Sequence, residues 1–335
     1  MQTENIQKSF GSFLQKRTSS LNSIARRVAL SALTLLLLSI VVFAAGQILP
    51  GDVGRSILGP LADPRAVAAL NHQLGTDQPP LLMYLRWVGG LLQGDMGQSY
   101  AYRSPVAPFI GHALAKSLAL AAVTSLIVIP LSVGAGIIAA LTLGRWQDRL
   151  ITLGGLSLTV VPEFVSGILL ILIFGVWLRW LPISANTRPG TGAIQQVRHL
   201  ILPALPLVLI LFGYISRIAR AGMIEALEAD YTRTATLKGL PRHTVIVRHV
   251  LRNALLPTIT VIATQTSYLI GGLVVVETLF RYQGIGSLIL TAARGKDYPM
   301  LEAGILTVGA AFIISAIVAD MLTALLDPRS QASRR

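Results

Sequence analysis

The stretch EADYTRTATLKGLPRHTVIVRHVLRNALLP occupies residues 228–257, and its two flanks decide the fold. It is charged and patterned, and it breaks once at Gly239-Leu240-Pro241. On either side lie long apolar blocks, 200–215 before it and 255–279 after it. Working outward, four further blocks of the same kind appear at 28–49, 113–141, 151–178 and 304–326. A membrane-spanning helix needs about 20 apolar residues. The block at 200–215 is short, and it reaches spanning length through Ser216 and Ala219 if Arg217 and Arg220 extend their charged ends to the interface. The expected architecture is all-α and integral to a membrane, with six spanning helices. A closed barrel is the other way to satisfy backbone polar groups in lipid, and the blocks lack its alternation.

Composition agrees. Of 335 residues, 53% are hydrophobic and 13% charged, against about 25% charged in soluble domains. The apolar run at 28–49 exceeds the core of a secretory signal and is followed by further spans, so it reads as an uncleaved first helix. The net charge of +13 does not call for nucleic acid. With the N-terminus inside, 17 of the 28 Lys and Arg residues fall in the four inner segments, whereas the long segment 50–112 carries four. That is the positive-inside pattern.

The implied organisation is an inner tail at 1–27, a first span at 28–49 and an outer loop at 50–112. A five-helix core at 113–326 follows, containing a cytoplasmic region at 217–254, and 327–335 form an inner tail. In the outer loop, Pro79-Pro80 precedes an amphipathic helix at 81–92 with Trp87. It reads as a docking or pore-covering element, or as a segment lying in the interface.

Chemistry is sparse. The chain has no cysteine, no phosphate-binding G-x-x-x-x-G-K-[ST] loop, no H-E-x-x-H and no G-x-S-x-G around a serine. Its five histidines are scattered, and no metal ligand set is expected. Charged residues inside spans often mark a pathway. Glu163 follows Pro162 in the third block, where proline invites a kink. A carboxylate at a kink is a candidate for the translocation path, and an ion pair with a neighbouring chain is the structural alternative. Asp320 reads as structural. So few intramembrane charges disfavour an ion-coupled secondary transporter, and the absent catalytic groups disfavour a membrane enzyme.

The opening stretch reads as a helical hairpin. A first helix at 223–238 ends at Gly239, with Pro241 blocking continuation. A second, at 242–255, has an apolar stripe of Val247, Val250, Leu251, Ala254 and Leu255. Arg242, Arg248, His249 and Arg252 lie off it. A hairpin that docks into another protein and a solvated amphipathic loop both fit this pattern.

DYTRTATLKGL followed by RHVLRNALLP resembles the cytoplasmic signature of the dipeptide, oligopeptide and nickel permeases of ATP-binding-cassette (ABC) importers. Several stretches fit in order: ILPGD (48–52), LGTDQP (74–79), GDMGQSY (94–100), RHLILPAL (198–205), VVVETLFRYQGIG (274–286), DYPM (297–300) and LLDPR (325–329). The resemblance covers about residues 24–329 and is to the first permease subunit of such systems.

It implies the six-helix type I importer permease fold, with a long extracytoplasmic loop after the first helix. It also implies a coupling helix at 225–240, using Glu225, Asp230, Tyr231, Arg233, Thr234, Ala235, Lys238, Gly239 and Leu240. Ala235 and Gly239 would allow close approach, while Arg233 and Lys238 pair with acidic rims. The implied partners are a second permease subunit, two ATPase subunits that use ATP and Mg, and an external binding protein. The chain itself would bind no cofactor. The expected substrates are di- or oligopeptides, with nickel chelates, opines or oligosaccharides as alternatives within the family.

Overall fold

A computed structural model describes residues 26–27, 29–48, 52–59, 61–187 and 190–326. Residues 1–25 of the tail read at 1–27, and the tail read at 327–335, lie outside the described residues. The regular elements described are helices, joined by one isolated antiparallel bridge between Gln98 and Pro105. The chain divides into two compact units, 1–93 and 94–335, so the unit boundary falls inside the segment 50–112.

In the first unit, α1 (Ala29–Ile48) is an apolar helix of spanning length. It is followed by α2 (Val53–Leu58), α3 (Pro64–Leu74) and α4 (Pro80–Leu92). Asp52 caps α2 by accepting from the Arg55 amide at 3.0 Å, and it also accepts from the Asn71 side-chain amide. The Asn71 Oδ1 accepts in turn from the Gly54 amide at 2.9 Å and from Thr76. One asparagine therefore ties the ILPGD and LGTDQP stretches together. The amphipathic helix expected around Trp87 is present, and its aromatic face packs on α1. The Phe43 ring lies 5.4 Å from Tyr84 and 6.0 Å from Trp87, and the Tyr84 hydroxyl meets Ser39 Oγ at 2.9 Å.

In the second unit, α5 (Val106–Leu141) is followed by α6 (Trp146–Val160) and α7 (Glu163–Leu170), which continues as a π-helical segment (Ile171–Trp177). Then come α8 (Ala193–Glu228), α9 (Asp230–Leu237) and α10 (Arg242–Thr244), whose π-helical turn (Val245–Val250) leads into α11 (Leu251–Gly272). The last helices are α12 (Val274–Leu279), α13 (Ile285–Gly295) and α14 (Tyr298–Leu326). Among the described residues of the whole chain, five helices are long and apolar enough to cross a membrane, and six spans result if α6 and α7 count as one.

The block at 151–178 is therefore not one straight helix. α6 and α7 meet at 105°. Pro162 supplies no amide hydrogen and forces its predecessor out of the helical region; Val161 is accordingly extended, at φ −72° and ψ 122°. The helices α5 and α8 also begin seven residues before their apolar blocks, because hydropathy marks the lipid-facing length and not the helix end. The block at 255–279 is likewise two helices. α11 joins the turn before it into a span that starts at Arg242, and α12 is separate.

The bundle is organised on α8, with bare backbone at the contacts. A Cβ on Gly136 of α5 would meet the Ala219 methyl at 2.6 Å, and one on Gly155 of α6 would meet the Gly213 Cα at 3.1 Å. A Cβ on Gly222 would run into the Ala254 carbonyl of α11. Small residues let helices approach where apolar burial gives no preference for protein over lipid. Gly136 lies near the end of α5 and Ala219 near the end of α8. The ends of α5 and α8 thus lie together with α9 and the start of α11, and the starts of α5 and α14 lie at the opposite end.

Candidate functional site

The charged stretch forms a compact knob where α8 ends. The single helix expected at 223–238 is two helices, because Ala229 is extended (φ −68°, ψ 148°) and breaks the chain between α8 and α9. Thr232 of α9 donates its hydroxyl to the Ala226 carbonyl of α8 at 2.7 Å and ties the two together. At its other end α9 closes as a Schellman cap. Gly239 sits at φ +76°, its amide donates to Thr236, and the Leu240 amide donates to Ala235. A left-handed residue at this position favours glycine. Pro241 follows and starts α10.

The nine sequence-derived residues do not share one face. Glu225, Asp230, Arg233, Thr234, Lys238, Gly239 and Leu240 are exposed, and Tyr231 is half-buried. Ala235 is only 5% exposed and packs in a buried cluster with Ala140, Met223, Ala226, Val245, Val250 and Ala254. The expectation that Ala235 shapes the outer tip is thus corrected: its small size is used inward, where α9 lies against its own bundle. The exposed apolar residue at the tip is Leu237, at 80% exposure.

The expected stripe on the second helix is also re-phased. Val247 is 63% exposed, whereas Val245, Val250, Ala254 and Thr258 are buried. The step from 245 to 250 is five residues, which is the π-helical spacing. Arg242, Arg248 and Arg252 remain exposed. A cleft of about 340 Å³ lies beside the knob, lined by Glu225, Tyr231, Asn253, Pro257, Thr260 and Thr323 among others.

Pro162 is exposed and Glu163 half-buried at the start of α7. No hydrogen bond among the described residues joins them to the knob.

Four buried acidic residues, Asp148, Glu277, Asp297 and Glu302, were not singled out from sequence. Asp148, on α6, accepts from Arg220 Nε at 2.6 Å and Nη2 at 2.9 Å, from the Gly144 amide at 3.0 Å and from Thr152. Arg220 is thus paired beside the α5–α6 turn, with 26% of its side chain exposed.

At the opposite end, Glu277 is fully buried. It accepts from the Ser117 hydroxyl at 2.5 Å and the Ser287 amide at 2.9 Å. Ser117 accepts from the Ile285 amide. This gives the VVVETLFRYQGIG stretch its reason, since a Cβ on Gly284 or Gly286 would strike the Glu277 carboxylate. Tyr282 donates its hydroxyl to the Lys116 carbonyl at 3.0 Å. Burial first, then the Glu277 charge, push that phenol up to about 12, so it stays a donor.

Asp297 is buried as well. It accepts from the Ser99 hydroxyl and from the Tyr100 amide at 3.1 Å, which fastens GDMGQSY to DYPM. Burial, followed by the charges of Glu302 and Asp297, raises the Tyr100 phenol to about 12. An acidic residue inside an otherwise apolar stretch was the available signal for Glu277. Among the described residues no cluster of His, Asp and Glu is suited to hold a metal ion.

The fold is a multi-span helical bundle fixed by buried polar pins and carrying a protruding knob. Residues 132–331 match the family of binding-protein-dependent transport system inner membrane components, and residues 20–133 match the N-terminal region of such components. The chain belongs to this family. It is similar to the glutathione transport system permease protein GsiC of Escherichia coli K12, at 36% identity over 92% of this chain and 98% of the relative. The GsiC protein of Salmonella paratyphi A is 35% identical over the same shares. The chain is accordingly a multi-pass inner-membrane permease of the peptide branch of ABC importers. Proteins of this family work with membrane partner subunits, ATPases and a binding protein.

Proposed function

We propose that this permease carries short peptides inward, glutathione-like tripeptides among them, and that α9 with its Schellman cap is the coupling element for an ATPase subunit. Both tails lie in the cytoplasm in this reading. The working complex holds this chain, a second permease subunit, two ATPases that consume ATP with Mg, and an extracytoplasmic binding protein that selects the substrate. The peptide class rests on the family branch and on the 36% identity to glutathione permeases.

The observation that carries the coupling role is the knob itself. Arg233, Thr234, Leu237, Lys238 and Leu240 are exposed around a left-handed glycine, while Thr232 and Ala235 hold the same helix to the bundle. A solvated loop needs no such fastening. An exposed leucine flanked by cations suits an apolar groove with an acidic rim. ATP binding draws the ATPases together, the knobs follow, and the bundle changes its open side.

The test is reconstitution of the complex purified with this chain into vesicles, followed by uptake of labelled glutathione and of di- to pentapeptides. Uptake that requires ATP and the binding protein, and that persists after the proton gradient is collapsed, is the expected result. Uptake driven by an ion gradient with this chain alone would refute the reading.

A further inference from the structure

We propose that the Asp148–Arg220 pair is the link that makes α6 move with α8, so that displacement of the α9 knob reaches the α6–α7 break at Pro162 and Glu163. This inference rests on the reading of α9 as the coupling element. It assigns Asp148 and Arg220 as positioning residues for transport.

The geometry is specific. Arg220 lies eight residues before the end of α8 at Glu228, about 12 Å along the axis at 1.5 Å per residue. Its guanidinium engages both Asp148 oxygens, at 2.6 and 2.9 Å. A bidentate arginine–carboxylate pair fixes orientation as well as distance. The same carboxylate accepts from the amide of Gly144, which turns the chain from α5 into α6 with φ +75°. One buried side chain thus sets the α5–α6 turn, the start of α6 and its azimuth on α8.

Elsewhere the α6–α8 seam is closely packed but carries no directional bond among the described residues. Gly155 faces Gly213 across it, backbone against backbone, with Thr159, Phe212 and Ser216 packed around the contact. Packing of this kind fixes the distance between the helices, whereas a charged two-pronged hydrogen bond also fixes orientation. A small gap lined by Thr152, Leu156, Gly213, Ser216 and Arg220 separates this contact from the ion pair. Among the described residues, the Asp148–Arg220 bonds are the side-chain hydrogen bonds that join α6 to α8. A glycine pivot with a directional pin on one side of it is a lever. The far end of α6 is the 105° break into α7, so a rotation imposed at Arg220 is delivered at Glu163.

The experiment uses the reconstituted complex. Asp148→Asn is isosteric and retains an acceptor for the Gly144 amide, so it weakens the pair while sparing the turn. Asp148→Glu keeps the charge, and Arg220→Lys keeps the charge without the two-pronged geometry. ATP hydrolysis and peptide uptake are measured together. Spin labels at exposed Leu150 on α6 and exposed Glu228 at the end of α8 report whether the two helices stay in register. The expectation is that Asp148→Asn and Arg220→Lys lower uptake at least tenfold while hydrolysis stays within twofold. Asp148→Glu should recover most of the uptake. The 150–228 distance should hold when ATP is added to the otherwise unaltered complex and shift or broaden in the Asp148→Asn complex.

Unchanged uptake in both Asp148→Asn and Arg220→Lys overturns the proposal. So does a parallel loss of uptake and hydrolysis that Asp148→Glu does not relieve, because that marks a purely structural pair. If Asp148→Asn does not assemble, Arg220→Lys decides by the same criteria. Failure of the underlying reading looks different: substitutions at Leu237 and Gly239 would then leave ATP-driven uptake intact whatever happens at Asp148.

Discussion

Removing the Glu277 carboxylate tests the polar pin at the end of the bundle opposite the knob. Its two donors, the Ser117 hydroxyl and the Ser287 amide, are held at 2.5 and 2.9 Å, and the glutamate is fully buried. A buried donor left without an acceptor costs about 1–3 kcal/mol. Glu277→Ala orphans both, and Ser117 can partly redirect, so the expected loss is about 2–4 kcal/mol. Glu277→Gln keeps one oxygen and loses about half as much. Gly284→Ala attacks the same bonds from the other side, since its Cβ would lie against the carboxylate and within 2.5 Å of Ser117 Oγ. It should cost about 2–4 kcal/mol by displacing the acceptor. Combined with Glu277→Ala, however, the added methyl enters space already vacated. The double variant should then be at least about 1 kcal/mol more stable than the sum of the two losses predicts, as neighbours sharing a network are not additive. Loss of helical circular dichroism during titration of mixed micelles with sodium dodecyl sulfate reads these differences. Single losses below about 0.5 kcal/mol, or strict additivity in the double variant, would show that the carboxylate does not hold α5, α12 and α13 together in the way described.

Gly239 has open space around it and φ +76°, so a substitution there meets strain and not collision. Gly239→Asn should keep ATP-driven uptake within about threefold, because asparagine enters the left-handed region readily. Gly239→Val, at about 1–2 kcal/mol or more of strain, should lose most of it while the complex still purifies. Gly239→Asp keeps the backbone and adds a negative charge beside Lys238, so a loss there with function in the Asn variant reports an acidic docking rim. Leu237→Ala removes an exposed leucine whose burial on docking would be worth about 1.5–3 kcal/mol. Affinity for the ATPase, measured by co-purification against increasing detergent, should fall at least tenfold with no change in thermal stability of the isolated chain. In the first unit, hydrogen bonds from the Arg55 amide, then from Asn71, hold the Asp52 carboxyl below its ordinary value. A depressed carboxyl stabilises at neutral pH, and that contribution fades as pH falls below about 4 towards its lowered value. Protection of the α2 amides against hydrogen exchange, taken relative to the intrinsic rate at each pH, should therefore fall on acidification, and that fall should be absent in Asp52→Asn.

Much of this fold was legible because lipid allows few solutions. Spanning length, the scarcity of charge and the kinking proline at 162 are written in local composition. The helix starts were not, because α5 and α8 begin seven residues before the apolar blocks on residues such as Phe109, Ile110, Ile194 and Val197, interleaved with polar ones. The knob was legible through its punctuation, with Gly239 and Pro241 marking the corner. Its faces were not. A regular 3.6-residue period puts Val247 inside, and one π-helical turn puts it 63% exposed; the sequence carries no local signal for that insertion. Ala235 suggested a close approach, and the structure directs that approach inward. The Asp148–Arg220 pair joins residues 72 positions apart, so no local pattern announces it.

How the knob is fastened limits how it can act. Thr232 binds α9 to α8, Ala235 packs against Val250 and Ala254 of the following helix, and the Schellman cap closes the far end. A knob held at both sides does not swing on Ala229 alone. Pushing it must load α8 and α11 together, and the two helices are themselves in contact where Gly222 meets the Ala254 carbonyl. From α11 the load passes to α14, to which Ser267 is hydrogen-bonded through Ser315 at 3.0 Å. From α8 it passes to α5 through the Gly136–Ala219 contact, and to α6 through the Gly155–Gly213 contact and Arg220. The helices differ in how they can follow. α5 meets α8 by packing alone at that contact, whereas α6 adds a directional ion pair. If the bundle changes shape under a load at the knob, the α6–α7 limb is where rigid-body motion and internal bending part company, and Asp148 is the residue that sets the ratio between them.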